Sequence, residues 1–291
     1  MKIYEENNSV ILEDVADFDP KHIFECGQCF RWHKQEDGSY TGVAMGKVLN
    51  VKKEDNKVYL NNTNLEDFNN IWYNYFDLGT NYTDIKKTLK NMDEYLDKAC
   101  DFGGGIRILR QDGWEMLISF IISSNNRIPM IQKAIENLSR NYGKYIGEYG
   151  GKEHYAFPTP EELNKASQED IRACQTGFRD KYIKSTTESV VANNDDVVGY
   201  RSLETDKCIK ELLKFNGVGP KVADCITLFG MQKYDTFPVD VWVKRVMQEF
   251  YVDEDMSLQK IRSYAIDKFG DLSGFAQQYL FYYARELGIG R

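Results

Sequence analysis

The chain has 291 residues, of which 42% are hydrophobic and 28% are charged, and its formal net charge is −8. This length suits one large domain or two ordinary ones, and the composition excludes a disordered or fibrous protein. The most apolar run, residues 116–122, is far shorter than a membrane span, and the first residues lack the apolar core of a signal peptide. We expect a soluble, cytoplasmic protein without a membrane partner.

The first part of the chain is predicted to form mostly β-strands. Short segments rich in β-branched and aromatic residues alternate with turn-forming residues, at 39–45, 47–52 and 56–60. The segment Phe30–Trp32 is also expected to be strand. A helix is predicted from an N-cap at Thr83 to Cys100, because apolar residues recur there at helical spacing.

From the glycines at 103–105 onward, the apolar periodicity is helical. A Gly- and Pro-rich loop is expected at 147–160. Caps, prolines and apolar repeats indicate helices that begin near 111, 128, 160 and 167, and others at 181–193, 205–215, 220–230, 241–250, 258–269 and 273–287. The chain is therefore predicted to be α+β, with an N-terminal antiparallel, twisted β-sheet domain at residues 1–102 and an all-α domain at residues 103–291.

The six cysteines are scattered and are expected to be thiols. Cys26 and Cys29 form a lone CxxC pair. A zinc or iron–sulfur site needs a second pair at ligand spacing, and the sequence has none. We therefore expect no catalytic metal and no organic cofactor.

A tight turn between two predicted helices is the most informative motif. It reads Gly217-Val218-Gly219, and Pro220 opens the helix that follows. The glycines allow positive φ and leave backbone amides uncovered, so that the turn and the helix start can hold a phosphate. Helix-hairpin-helix units bind the DNA backbone in this way without reading its sequence. An ordinary turn closed by glycine explains the same residues, and the motif alone leaves both interpretations open.

The charge of the chain is unevenly distributed. Between residues 210 and 245, six Lys and Arg residues stand against four Asp and Glu residues, a local charge of +2 within a chain of −8. The acidity of the whole chain therefore does not exclude a polyanionic partner.

Two residues near the turn are candidates for chemistry. Lys221 lies in the first turn of a helix, where burial and the helix dipole are both expected to lower the pKa of its amine. A neutral amine is the nucleophile that Schiff-base chemistry requires. Asp240 is predicted to cap the next helix, where an ionised carboxylate can stabilise cationic charge developing on a sugar. A solvated lysine and a purely structural cap are the alternatives.

The residues of this region resemble a known family. Gly217-Val-Gly-Pro-Lys-Val-Ala-Asp-Cys225 followed by Pro238-Val-Asp240 is similar to the helix-hairpin-helix-GPD DNA glycosylases, and among them to the 8-oxoguanine DNA glycosylase/AP lyases. Further segments resemble family segments in the same order, at 27–32, 110–112, 123–126, 177–179 and 276–281. The resemblance implies an all-α helix-hairpin-helix DNA glycosylase domain behind the sheet, with a lesion pocket at the junction of the two.

The resemblance further implies a bifunctional enzyme that flips 8-oxoguanine out of duplex DNA, excises it, and cleaves the strand by β-elimination at the abasic site. Lys221 would attack the sugar C1′ and form the Schiff base. Asp240 would orient the amine and stabilise the transition state. The carbonyl of Gly27 would accept from N7–H, which 8-oxoguanine has and guanine lacks.

Other pocket residues follow from the same resemblance. Cys225 and Phe281 would sandwich the flipped base, Gln277 would bond its Watson–Crick edge, and Pro238 would also contact the substrate. Periodicity alone favours ordinary core packing for Cys225 and Phe281.

On the DNA side, the resemblance assigns Asn125 to the vacated stack, Phe178 to a wedge beside it, and Arg179 to the orphaned cytosine. Met130 stands where the eukaryotic pattern has a second arginine, so we predict weakened discrimination for cytosine. Trp242 stands where that pattern tends to have histidine, which puts any phosphate role there in doubt. The hairpin glycines, Gly217 and Gly219, would bind the DNA backbone.

Three alternatives remain at this point. A non-enzymatic helix-hairpin-helix DNA-binding protein explains the hairpin but leaves Lys221 and Asp240 without a purpose. Alkylpurine glycosylases typically lack the lysine, and the endonuclease-III-like branch commonly carries four clustered cysteines. The favoured partner is double-stranded DNA containing 8-oxoguanine, bound by a monomer in the nucleoid of a bacterium or the nucleus of a eukaryote.

Overall fold

The structure, a computed structural model, describes residues 1–252 and 255–289. Its N-terminal strands are β1 (Lys2–Glu6), β2 (Ser9–Glu13), β3 (Trp32–Lys34), β4 (Tyr40–Ala44), β5 (Lys47–Glu54) and β6 (Lys57–Asn61). They form one antiparallel sheet in the order β1-β2-β6-β5-β4-β3. Tight turns set the strand register, and in the turn between β1 and β2 Asn7 and Asn8 both have positive φ, as a type I′ turn requires.

Short helices cover one face of the sheet. They are α1 (Pro20–Glu25), α2 (Leu65–Asp67), a π-helical turn (Phe68–Trp72) and α3 (Tyr73–Tyr75). Leu49 and Leu60 from the sheet pack with Trp72 and Phe76 in one buried apolar cluster. The side chain of Asp19 caps α1, whose C-terminal end leads into the segment around Gly27.

The rest of the chain is mostly helical. Its helices are α4 (Tyr82–Lys90), α5 (Glu94–Phe102), α6 (Gly113–Ser123), α7 (Ile128–Tyr142), α8 (Pro160–Leu163), α9 (Gln168–Ile171), α10 (Asp180–Asn193), α11 (Thr205–Leu212), α12 (Pro220–Phe229), α13 (Val241–Phe250), α14 (Leu258–Phe269) and α15 (Ser273–Leu287). A hairpin of β7 (Tyr145–Tyr149) and β8 (Lys152–Tyr155) follows α7. No helix in the described part of the chain is long and apolar enough to cross a membrane.

Helix α6 lies at the centre of the helical part. Its residues 113–122 are all buried except Glu115, and they share one apolar core with α12 and α15. Leu96 and Cys100 of α5 also belong to this core. Because helices on both sides of residue 102 share that core, the division into residues 1–102 and 103–291 stays a prediction.

The α+β fold class is confirmed, but the helix predicted from Thr83 to Cys100 is wrong. Two helices replace it, and α4 begins two residues earlier than expected, with Asn81 rather than Thr83 as its cap. Asp93 starts the second helix, because its side chain accepts hydrogen bonds from the backbone N–H groups of Tyr95 (3.1 Å) and Leu96 (2.9 Å). The apolar spacing runs through both helices and so hides the break.

Two further local predictions are corrected. Of the segment Phe30–Trp32, only Trp32 belongs to a strand. The loop expected at 147–160 contains most of the β7–β8 hairpin. Its two glycines, Gly150 and Gly151, have positive φ and form the tight turn that lets the strands pair.

Candidate active site

The segment that carries Gly27 is fixed by the side chain of Gln28, which is fully buried. Its amide nitrogen donates to the backbone carbonyls of Ile23 (2.9 Å) and Arg107 (2.8 Å), and its amide oxygen accepts from the N–H of Leu109 (2.8 Å). A buried amide with three such bonds holds one conformation. Sequence analysis assigned no role to Gln28, although a buried polar residue next to Gly27 was the available signal.

Gly27 requires a glycine for two reasons. Its φ is +88°, and a Cβ atom there would lie 3.1 Å from Cε1 of Phe281. The ring of Phe281 in turn packs edge-on against Trp242, with the ring centres 4.6 Å apart and the planes at 88°. The structure thus brings together three residues that the sequence places far apart.

Arg285 also supports this contact, and sequence analysis did not identify it. It lies one helical turn after Phe281, with its guanidinium 5.8 Å from the centre of that ring. It donates to the backbone carbonyl of Glu25, two residues before Gly27. The end of α15 is thereby tied to the segment that follows α1.

Two buried polar atoms near Phe281 have no hydrogen-bond partner among the described residues. They are Oε1 of Gln277, whose side chain is only 6% exposed, and Nε1 of Trp242. Gln277 lies one turn before Phe281 on α15. Because a buried polar group without a partner costs about 1–3 kcal/mol, such atoms point to a polar ligand.

Lys221 lies in the first turn of α12, as predicted, and its side chain is largely enclosed. Its Nζ is 5.8 Å from the ring centre of Phe120 on α6. Its side chain is hydrogen-bonded to Cys225, one turn further along α12 and 4% exposed. Lysine and cysteine therefore meet on the face of α12 that turns toward α6.

The expectation that the pKa of Lys221 is lowered is wrong. The Cys225 sulfur and the Asp240 carboxylate raise the pKa of Lys221 above its ordinary value and outweigh the desolvation that lowers it. Sequence analysis identified Asp240 as a nearby negative charge. Its effect on the pKa of Lys221 depends on the distance between the carboxylate and the amine, which only the fold sets. The amine is therefore a cation in the DNA-free protein at neutral pH and must lose a proton before it can attack.

Asp240 caps α13, as predicted. Its Oδ1 accepts from the backbone N–H of Val243 at 2.8 Å. Pro238 lies in a buried segment just before it, and this segment leads the chain from α12 to the cap. The carboxylate is thus held by the backbone while its charge acts on Lys221.

A buried ion pair fixes α12 on its other side. Arg262 of α14 donates through Nε (2.6 Å) and Nη2 (2.9 Å) to the carboxylate of Asp224, which also accepts from the hydroxyl of Thr236 (2.9 Å). Burial raises the pKa of Asp224, while Arg262 opposes that shift. Asp224 follows Lys221 by three residues, and sequence analysis gave it no role.

A groove of about 700 Å³ also reaches Lys221, between α11 and α14. Among the described residues it is lined by Asp224 and Arg262 rather than by Cys225 or Gln277. Of the predicted pocket residues, Phe281 lies directly against Gly27.

The loop after α6 lies against Arg179. Asn125 is exposed at the tip of the loop with φ of +51°. The guanidinium of Arg179, which is nine-tenths buried, donates to the backbone carbonyls of Ser124 (2.8 Å), Asn125 (2.8 Å) and Thr176 (3.2 Å). The structure thus brings the two predicted DNA-binding residues together, with the arginine engaged by the loop.

The neighbouring side chains on this face are apolar. Phe178 is 52% exposed and Met130, in the first turns of α7, is 42% exposed. The guanidinium of Arg179 lies 4.4 Å from the ring centre of Phe178. The ring of Phe178 is thus exposed beside Arg179.

The two hairpin glycines differ. Gly217 has φ of +85°, and a Cβ atom there would lie 2.8 Å from the ring of Tyr182. Gly219 has φ of −93°, and a Cβ atom there would meet nothing within 4 Å. Of the two glycines, only Gly217 adopts the positive φ that glycine allows, and a side chain at Gly219 would meet open space.

A helical domain with a glycine hairpin, a buried lysine and a neighbouring carboxylate defines the class of helix-hairpin-helix DNA repair proteins. Residues 118–269 match the HhH-GPD superfamily of base excision DNA repair proteins, and residues 10–117 match the N-terminal domain of 8-oxoguanine DNA glycosylase. The chain therefore belongs to the HhH-GPD superfamily, in the branch of the 8-oxoguanine DNA glycosylase/lyases. In the described part of the chain, His, Cys, Asp and Glu side chains form no group of three or more that could hold a metal ion.

Three similar proteins support this assignment. The chain is 31% identical over 234 residues to a probable N-glycosylase/DNA lyase of Methanothermobacter thermautotrophicus, covering 74% of each chain. It is 28% identical over 274 residues to N-glycosylase/DNA lyase OGG1 of Arabidopsis thaliana, covering 89% of this chain and 75% of that one. The crystal structure of Clostridium acetobutylicum 8-oxoguanine glycosylase/lyase, in complex with DNA containing cytosine opposite 8-oxoguanine, has a TM-score of 0.96, 53% identity and 99% coverage of both chains.

Proposed function

We propose that this protein excises 8-oxoguanine from duplex DNA with Lys221 as the nucleophile and then cleaves the strand at the abasic site. The observation that carries the proposal is the enclosed amine of Lys221, which lies under the influence of Asp240 and hydrogen-bonded to Cys225. The Clostridium acetobutylicum protein, at 53% identity, is an 8-oxoguanine glycosylase/lyase. A protein that only binds DNA has no use for a lysine in that environment.

Recognition of the lesion is assigned to Gly27 and Gln277. The carbonyl of Gly27 accepts from N7–H of 8-oxoguanine, whereas guanine presents an acceptor at N7 and leaves that carbonyl unpaired. An unpaired buried acceptor disfavours guanine by about 1–3 kcal/mol. The unpartnered amide oxygen of Gln277 then accepts from the Watson–Crick edge of the base.

The base enters between Cys225 and Phe281. Phe281 lies against Gly27, so a base that enters between Cys225 and Phe281 requires this ring to turn away from the glycine. Extrusion of a base from the duplex costs a few kcal/mol, and the contacts in the pocket offset this cost. Pro238 keeps the segment before Asp240 rigid on the other side of the site.

The chemistry begins when Lys221 loses its proton. Burial of the amine by the incoming nucleotide strengthens the desolvation that already opposes the cation. The neutral nitrogen attacks C1′, the bond from C1′ to the base breaks, and the base leaves with the electron pair and takes up a proton. Asp240 stabilises the positive charge that develops on the sugar. The C1′–O4′ bond then breaks, O4′ takes up the proton that the attacking nitrogen releases, and the protonated imine forms. Loss of a proton from C2′ breaks the C3′–O bond and releases the 3′-phosphate.

The remaining DNA contacts surround this pocket. Asn125 fills the space that the base vacates, and Phe178 wedges into the neighbouring step. Arg179 and Met130 face the orphaned base. The amides of the hairpin at Gly217 and Gly219 hold a backbone phosphate. A protein that acts on DNA works in a bacterial nucleoid or a eukaryotic nucleus. We propose that it acts there as a monomer.

Borohydride trapping on duplex DNA with and without 8-oxoguanine tests the proposal. Lys221→Gln is expected to abolish the covalent adduct and to retain binding to lesion DNA. Lys214→Gln, at an exposed lysine of the same hairpin that pairs with Glu211, is the matched control and is expected to keep the adduct. An undiminished adduct in Lys221→Gln, or no adduct in the unmodified protein, contradicts the assignment.

A further inference from the structure

Arg31 is a buried arginine, and two of its guanidinium nitrogens make no hydrogen bond to the described residues. It lies four residues after Gly27 and is only 6% exposed. Its Nη2 donates to the backbone carbonyl of Tyr155 at 2.6 Å and lies 3.7 Å from the carboxylate of Glu136. Its Nε and Nη1 are buried without a hydrogen-bond partner among the described residues. Since buried donors are normally satisfied, this arginine is arranged for a further partner.

Two carboxylates lie on that side, and because Asp112 already caps α6, the one left for the arginine is that of Glu115. Glu115 and Arg31 line one small cavity between the sheet and α6, together with Cys29, Tyr75 and Asp112. The space open to the centre of a water molecule there is about 10 Å³, which corresponds to one water. The cavity therefore lets a single water join the two unpartnered arginine donors to the glutamate.

The position of Glu115 connects it to both halves of the active site. It lies in the first turn of α6, and further along that helix Phe120 packs edge-on against Phe30, with ring centres 5.4 Å apart. The same Phe120 lies under Nζ of Lys221. Helix α6 is thus the frame against which the segment 27–31 and the nucleophile are both set.

We propose that Glu115 is a positioning residue: in its ionised form it holds Arg31, across one water molecule, and thereby fixes the segment 27–31 whose Gly27 carbonyl meets the base. This rests on the proposed function, because the segment acts on catalysis only if Gly27 recognises the lesion. Cleavage of a preformed abasic site, which has no base to recognise, does not require this positioning.

The charge of Glu115 depends on pH in the physiological range. Burial raises the pKa of Glu115 from 4.5 to about 7, while Arg31 lowers it and Asp112 raises it. Cys29 and Tyr75, which also line the cavity, are neutral because burial raises the pKa of each. Arg31 is therefore the cation that the ionised carboxylate meets, and the proposed interaction forms as the pH rises through about 7.

Ionisation of Glu115 costs stability. A carboxyl group whose pKa is higher in the folded than in the unfolded state favours folding below pH 4.5, and this contribution is lost as the pH rises from there to about 7. Replacement of Glu115 by a neutral isostere is therefore expected to stabilise the protein at alkaline pH. For a residue that served packing alone, an isosteric replacement leaves stability unchanged at every pH.

The test compares Glu115→Gln with the unmodified protein in three measurements between about pH 6 and about pH 8. We expect excision of 8-oxoguanine at the alkaline end to fall about tenfold and cleavage of a preformed abasic site to change less than about twofold. The thermal midpoint of the variant is expected to rise at the alkaline end and to differ little at the acidic end. The ratio of the excision rate to the rate of abasic-site cleavage is expected to increase with pH in the unmodified protein and to stay constant in the variant.

Two further variants sharpen the result. Glu115→Asp keeps the charge and is expected to recover part of the excision rate. Glu136→Gln, at the exposed carboxylate on the other side of Arg31, is the matched control and is expected to leave the pH dependence of the ratio unchanged. The proposal is overturned if Glu115→Gln excises normally, loses both activities together, or is destabilised at alkaline pH. A failure of the unmodified protein to excise 8-oxoguanine would instead refute the proposed function.

Discussion

The proposed lesion pocket and the face assigned to the opposite strand differ in how their polar groups are satisfied. In the pocket, Oε1 of Gln277 and Nε1 of Trp242 are buried without partners among the described residues. On the opposite-strand face lies Arg179, and backbone carbonyls of the loop after α6 already accept from its guanidinium. The pocket is thus prepared for a polar ligand, whereas the other face presents mainly the exposed apolar side chains of Phe178 and Met130.

This difference indicates where discrimination resides. Unpaired buried groups penalise every ligand that fails to match them, so the pocket can select one base strongly. Exposed apolar side chains fill space and displace water but read no hydrogen-bonding edge. We infer that the protein is strict about the lesion and tolerant of the base opposite it.

The largest effect is expected at the carboxylate beside the nucleophile. Asp240→Asn retains the cap of α13, because Asn caps helices as well as Asp, but it removes the charge that stabilises the transition state. We expect excision to slow about a hundredfold with little change in the thermal midpoint. Because Asp240 raises the pKa of Lys221, the acidic limb of the abasic-site cleavage profile is expected to move to lower pH.

Steady-state kinetics across pH, together with thermal unfolding, check this prediction. A parallel loss of activity and stability contradicts it, since that outcome assigns Asp240 to capping alone. An unshifted acidic limb would show that the carboxylate does not act on the amine.

A smaller effect is expected at Gly27. In Gly27→Ala the new Cβ meets Phe281 at 3.1 Å and the residue is forced to keep φ of +88°, which costs about 1–2 kcal/mol. We expect excision of 8-oxoguanine to fall about tenfold or more, while abasic-site cleavage is affected much less. The matched control is Gly38→Ala, which has φ of +82° and no atom within 4 Å of the new Cβ. Equal losses in both variants would assign the effect to backbone strain.

The sequence predicted the helical part better than the segment around Gly27. Helices α10 to α15 carry apolar repeats, and the side chains of Asp240 and Ser257 cap α13 and α14, so the bounds of these helices followed from neighbouring residues. The segment 26–31 is held instead by long-range bonds, such as those from Gln28 to Arg107 and Leu109. No local pattern encodes such bonds, and Phe30 and Arg31 were therefore wrongly predicted to be strand.

The same limit applies to the electrostatics of the site. The types and positions of Lys221 and Asp240 were readable because each lies in a helix start with a recognisable motif. The direction of the pKa shift of Lys221 was not, because it depends on the contact with Cys225 and on the distance across to α13. The sequence could not predict that Glu115 and Arg31 lie together, because only the packing of the sheet on α6 brings them to one cavity.

The smallest effect is expected on the opposite-strand face, where a substitution can supply the hydrogen-bond donors that its exposed apolar side chains lack. Met130→Arg adds hydrogen-bond donors at an exposed position. A bidentate contact to a base edge discriminates the matching base from the others by about 1–3 kcal/mol. We expect the preference for cytosine opposite the lesion to increase about fivefold or more in single-turnover assays with all four opposing bases. Met92→Arg, at a similarly exposed methionine between α4 and α5, controls for added charge. If both variants change the preference equally, simple attraction to DNA explains the effect; if neither does, the apolar side chain is not the reason for tolerance.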